Sequence, residues 1–219
     1  MNKFFLTMIC AICWTMTNAQ ELISSGKSHA DLVPQGWEVS EADGDVNYDG
    51  ITDWVVIVTP NNEEHLTRRD DGYVYNFNPP ILAIYLGTKD GTFQLWRQYK
   101  DVIPPRPDEF LDIDHSVSIT PKGVIKIGLS YFSSAGGWSN ISYDYLFRYQ
   151  NNDFFLIGKD ENEMARNTGE VSETSYNFLT HKKQHITYNE FDQSVRRKET
   201  WTRLPKSSLE LLGSNMLGD

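Results

Sequence analysis

After a weakly patterned opening from Gln20 to Trp37, apolar residues come in short runs separated by turn formers, almost never at helical spacing. "WVVIVTP" (54–60) is rich in β-branched residues and stops at a proline. "ILAIYLG" (81–87) and "TFQLWRQY" (92–99) flank "TKDG", a hairpin signal. "DIDHSVSIT" (112–120) and "VIKIGLSYF" (124–132) flank "PKG", and "ISYDYLFRYQ" (141–150) and "DFFLIG" (153–158) flank Asn151-Asn152. "SYNFLTH", "QHITYNEF" and "VRRKETWTRL" predict three further strands. "HADLVPQGW" holds one helical turn ended by Pro34, and "LPKSSLELL" (204–212) predicts a short C-terminal helix with Pro205 near its start. About ten strands with tight turns predict an antiparallel all-β protein: a meander, a sandwich or propeller-like sheets. No linker stands out, so residues 20–219 read as a single domain. Two long connections remain, Asn61 to Pro80 and the proline-rich Lys100 to Phe110. A connection near twenty residues, as in the first of these, is commonly functional or floppy.

The first nineteen residues follow another rule. Lys3 supplies a positive start, Phe4 to Met16 an apolar stretch, and Thr17 to Ala19 a small-residue cleavage site. That is the layout of a secretory signal over 1–19, too short to be comfortable as a membrane anchor. Isoleucine before Cys10 and Cys13, where a lipid-attachment site wants a small residue, argues against lipidation. Both cysteines lie inside this segment, so the mature chain has no disulfide and relies on its core, with or without a metal. The mature charge is 19 basic against 30 acidic residues, a net of −11. This disfavours nucleic acid and anionic lipid and favours cations. No second long apolar segment predicts a transmembrane span. The expected location is periplasmic or secreted.

"GDVNYDGITDWVVIV" (44–58) places Asp45, Asn47, Asp49 and Asp53 around Gly50, directly before an apolar run. Alternating oxygen side chains in a tight loop match the needs of Ca2+, which takes six to eight hard oxygens at about 2.3–2.6 Å. The expected ligands are Asp45, Asn47, Asp49, the Ile51 carbonyl and Asp53, with Asp43 adding outer charge. Without a cation the carboxylates would repel one another beside a buried strand. The competing reading is an Asx-rich turn with no ion. An EF-hand is excluded, because the twelfth position from Asp45 is Val56 rather than an acid and no helix follows.

This loop resembles those of FG-GAP and VCBS-type repeats, where "DxNxDGxxD" leads into a hydrophobic strand; dockerin and thrombospondin type 3 loops share the ligand spacing. Together with "VPQGWEV", "ILAIYLGTKDGTF", "YDYLFRYQNNDFFLIG" and "SYNFLT", it resembles a group of uncharacterised exported bacterial proteins of Bacteroidetes type. The chain departs from their pattern at His181, where they carry glycine. The resemblance implies a metal-stapled β-protein and no reaction. A seven-bladed propeller is excluded by length, since each blade takes about 40–50 residues.

Other chemistry is thin. No G-x-S-x-G, Walker loop or His-Glu-x-x-His is present, so the chain is read as a non-enzyme. A carboxylate-dependent hydrolase would draw on Asp112, Asp114 and Glu109. Asp112 and Asp114 alternate and share one strand face, which also suits a plain exposed edge. His181 and His185 read as solvated turn residues beside a Lys182-Lys183 hairpin tip. "YFSSAGGWSNISYDY" (131–145) offers a ligand lip of Trp138, Tyr131 and Tyr143 for glycan or protein; the alternative is an ordered hairpin loop. Trp37, Trp54, Trp96 and Trp201 read as core. The expected role is an exported calcium-binding module for a protein or envelope glycan; a periplasmic immunity or inhibitor protein is a further alternative.

Overall fold

The computed structural model describes residues 21–218. The secretory segment expected over 1–19 lies outside the described residues.

Among the described residues the protein is all-β, with fourteen strands in antiparallel sheets of five, seven and two. Strands β1 (Ser25–Gly26), β2 (Glu38–Gly44), β3 (Asp53–Thr59), β6 (Ile81–Gly87) and β7 (Phe93–Tyr99) form the five-stranded sheet in the order β1-β7-β6-β3-β2. Between β3 and β6, strands β4 (Leu66–Arg68) and β5 (Val74–Asn76) make a small separate hairpin. Its turn closes with the Arg69 amide donating to the Tyr73 carbonyl at 2.8 Å. The seven-stranded sheet is a pure meander: β8 (Leu111–Ile119), β9 (Ile125–Ser133), β10 (Ser139–Gln150), β11 (Asp153–Ala165), β12 (Glu170–Asn177), β13 (Lys182–Asn189) and β14 (Lys198–Arg203).

Every residue of β3 is buried, which accounts for its unbroken apolar run. Val55 and Ile57, with Leu82 and Ile84 of β6, face the seven-stranded sheet. There they meet Val117, Ile125, Ile127, Leu129, Phe147 and Phe154. Trp54, Val56 and Val58 point the other way, into a second core with Ala83 and Tyr85 that Leu22, Leu32 and Trp37 of the N-terminal segment cover. His29, in the short 3-10 turn His29–Asp31, stacks on Trp54 with centroids 4.3 Å apart. The helical turn expected before Pro34 is this one.

The predicted hairpins around residues 88–91, 120–123 and 151–152 all form. Three expectations are corrected. Residues 204–212 are not a helix: the Leu156 amide donates to the Glu210 carbonyl at 2.8 Å and the Leu212 amide to the Phe154 carbonyl at 2.9 Å. β12 pairs β11 only from Gly158 onward, so the first residues of β11 have an open edge, and the C-terminal segment fills it. Backbone pairing and burial of Leu212 outweigh a weak local helical preference behind Pro205. Trp201 is not in the core but 58% exposed, because β14 ends the seven-stranded sheet and none of the described residues forms a layer over it. His185 is not in a turn: it lies in β13, half-buried, with Nδ1 3.0 Å from the Thr174 hydroxyl.

His181 does close the β12–β13 turn, with φ of 54°. A side chain in that left-handed conformation costs about 1–2 kcal/mol, which glycine avoids at some entropic cost in the unfolded chain. His181→Gly is therefore expected to stabilise the protein by about 0.5–1 kcal/mol in urea denaturation. An unchanged or lower midpoint would show that the turn is not strained there.

Candidate metal centre

The loop between β2 and β3 is folded by its own side chains. Asp45 accepts from the Asp49 amide at 3.2 Å and the Gly50 amide at 2.9 Å. Asn47 Oδ1 accepts from the Asp49 amide at 3.0 Å, and its Nδ2 donates to Asp49 at 3.0 Å. Asp49 in turn accepts from the Ile51 amide at 2.8 Å. Gly50 takes φ of 82°, which lets the chain reverse so that alternate side chains gather on one side. The predicted glycine and the oxygen side chains around it are thus brought together in one compact turn.

Asp53 sits differently from its neighbours. It is fully buried at the first position of β3. One carboxylate oxygen accepts from the Val46 amide at 2.9 Å and the other from the Gly87 amide at 2.9 Å. It therefore ties the loop to the far end of β6, and Val46 itself is buried in the main core. Burial pushes the Asp53 carboxyl above the ordinary range; the Gly87 and Val46 amides pull it back, and the Asp49 and Asp45 charges push it up again. No lysine, arginine or histidine among the described residues forms an ion pair with Asp45, Asp49 or Asp53. Asp43 and Glu41 lie outside the loop, each against a ring nitrogen of His29, at 3.2 and 3.3 Å.

Two supports were not visible as site residues in the sequence. Gly87 lies so close to the Thr52 carbonyl that a Cβ there would sit 2.1 Å from the oxygen. Gly123, in the β8–β9 turn, leaves room for the Asp45 carbonyl, and the Tyr48 hydroxyl donates to the neighbouring Lys122 carbonyl at 3.2 Å. The glycine of "PKG" signalled a turn, but nothing signalled that this turn braces the acidic loop.

The donor set suits a hard cation: three carboxylates, an amide oxygen and the Ile51 carbonyl, with spare lone pairs on each. Among the described residues no three His, Cys, Asp or Glu side chains are grouped so as to hold a metal ion.

The remaining candidates are dispersed. Trp138 is 67% exposed in the β9–β10 connection, whose backbone is held by Arg166 bonding to the Ser133 and Gly137 carbonyls at 2.9 and 2.7 Å. Tyr131 and Tyr143 stack edge-on, 5.7 Å apart, against the main core. Asp112 pairs with Arg106, Asp114 is exposed, and burial pushes the His115 imidazole below its ordinary pKa against the opposing pull of Glu38 and Asp114. Among the described residues no helix is long and apolar enough to cross a membrane. The chain matches no protein-family model, no curated protein and no solved structure.

Proposed function

We propose that this chain is an exported, non-enzymatic β-protein whose N-terminal sheet is stapled by Ca2+, and that it serves as a binding module for a protein or envelope glycan. Asp45, Asn47, Asp49, the Ile51 carbonyl and Asp53 hold the ion. The observation that carries this reading is Asp53: a fully buried carboxylate, flanked by the charges of Asp45 and Asp49, with only two backbone amides to offset it. A divalent cation neutralises that charge where no side chain does, and it favours the folded state by mass action. The FG-GAP-like loop pattern, the acidic balance and the secretory layout of residues 1–19 support the same reading.

Thermal unfolding in excess calcium and in excess chelator tests it. At a hundredfold excess over Kd the ion contributes about 2.7 kcal/mol, or roughly 5–10 °C in Tm for a chain of this size. Asp49→Ala is expected to erase the difference between the two conditions. Equal melting of the wild-type protein with and without calcium would mean that the loop is an acidic turn braced by its own amides.

A further inference from the structure

Three features that the sequence set apart meet at one cleft: the Asn61–Pro80 connection, the Lys100–Phe110 connection and the alternating acids of β8. The cleft lies where β2 and β8, the edge strands of the two sheets, come together, beside the β4–β5 hairpin. It encloses about 380 Å³.

Its polar lining is incompletely satisfied. Asn78 is 1% exposed and Thr59 5%. Asn78 Nδ2 donates to the Asn62 carbonyl at 3.2 Å and to Asn76 Oδ1 at 2.8 Å, but Asn78 Oδ1 has no hydrogen-bond partner, and neither has the Thr59 hydroxyl. Both atoms are closed off from solvent, so they belong to the wall of the cleft and the accessible polar groups are the exposed carboxylates of Glu38 and Asp114. The cationic side chain at the cleft is already engaged. Arg106 pairs with Asp112, bonds the Asp108 carbonyl at 2.9 Å and lies 4.9 Å from the Tyr75 ring centroid. Glu38 and Asp114 remain as acids beside His115, so anionic ligands are repelled. Past Arg106 and Tyr73 the cleft continues into a second hollow of about 260 Å³. Aromatic rings stand exposed there: Tyr73 at 51%, Phe110 at 57% and Phe132 at 46%. Hydroxyl-seeking groups beside exposed aromatic faces match the two surfaces of a pyranose, its hydroxyl rim and its C–H face.

We propose that this cleft is a binding site for an uncharged saccharide, with sugar hydroxyls donating to Glu38 and Asp114 and a ring face on Tyr73. This rests on the glycan-binding reading above and is independent of its calcium staple, since the cleft is separate from the acidic loop.

Isothermal titration in calcium, against neutral gluco-, manno-, galacto- and xylo-oligosaccharides and anionic oligogalacturonate, tests this. Wild-type protein is expected to bind at least one neutral oligosaccharide and not the oligogalacturonate. Tyr73→Ala and Asp114→Ala, both at exposed positions, each weaken binding about tenfold or more, a difference of about 1.4 kcal/mol. Trp201→Ala, at the far end of the seven-stranded sheet, leaves it unchanged. Thermal unfolding confirms that the variants fold. No binding to any neutral oligosaccharide at millimolar concentration overturns the assignment. So does binding that prefers oligogalacturonate, survives both cleft exchanges, or is lost on Trp138→Ala while Tyr73→Ala binds normally.

Discussion

Exchange of Asp53 for alanine is expected to lower the denaturation midpoint more than any other single exchange in the Asp45–Asp53 loop. The Val46 and Gly87 amides both end on this carboxylate, and alanine leaves both without a partner. An unsatisfied buried group costs about 1–3 kcal/mol, so a loss of roughly 2–5 kcal/mol is expected in chelator, reduced by the relief of burying the acid. Asp53→Asn keeps one acceptor but turns an amide hydrogen towards the other N–H, giving an intermediate loss. The pH dependence carries the sign of the raised pKa. The folded carboxyl holds its proton more tightly than the unfolded one. Its contribution is therefore complete below the unfolded value of 3.8 and is lost as pH rises through the folded value. In chelator, Asp53→Asn removes this decline. Calcium, by favouring the ionised form, removes it from the wild-type protein too. Denaturant titrations across that pH window read both effects; an alanine variant as stable as the wild type would show that Asp45, Asn47 and Asp49 hold the loop without Asp53.

Trp54→Ala is expected to cost about 3–5 kcal/mol, the range for emptying a large aromatic site in a core. Trp54 is fully buried, directly after Asp53, and its ring lies between His29 and Tyr85 with centroids 4.3 and 5.1 Å away. Its Nε1 donates to Glu41 at 2.8 Å, so one side chain joins the N-terminal segment, β2 and β6. Trp54→Phe separates the contributions: it keeps most of the packing and loses the bond to Glu41, costing about 1–2 kcal/mol. Guanidinium titration should also show a smaller slope for the alanine variant if residues 21–37 come away from the sheet. A loss below about 1 kcal/mol would mean that this second core closes without the indole.

The two exchanges bear on adjacent residues with opposite roles. Asp53 fixes where β3 begins; Trp54 fixes what covers its outer face. The acidic loop and the outer core are for that reason expected to lose stability together, and a cation at the loop to protect both.

What the sequence determined by itself is local. Short apolar runs bounded by Lys89–Asp90–Gly91, Pro121–Lys122–Gly123 and Asn151–Asn152 set hairpins that close within a few residues, so turn chemistry suffices to read them. The alternation of Asp45, Asn47 and Asp49 around Gly50 set the compact loop for the same reason. The tertiary structure decided what depends on which edges and faces remain open. The open edge of β11 made residues 210–212 extended rather than helical. The position of β14 at the end of its sheet, with none of the described residues layered over it, left Trp201 exposed. Burial of Asp53 between the Val46 and Gly87 amides joined residues thirty-four apart in the chain. The cleft at Asn78 and Thr59 arose only where the edges of two sheets meet two long connections. No local pattern encodes such meetings, because pairing and burial energies between distant segments exceed the small propensities that a short stretch of sequence displays.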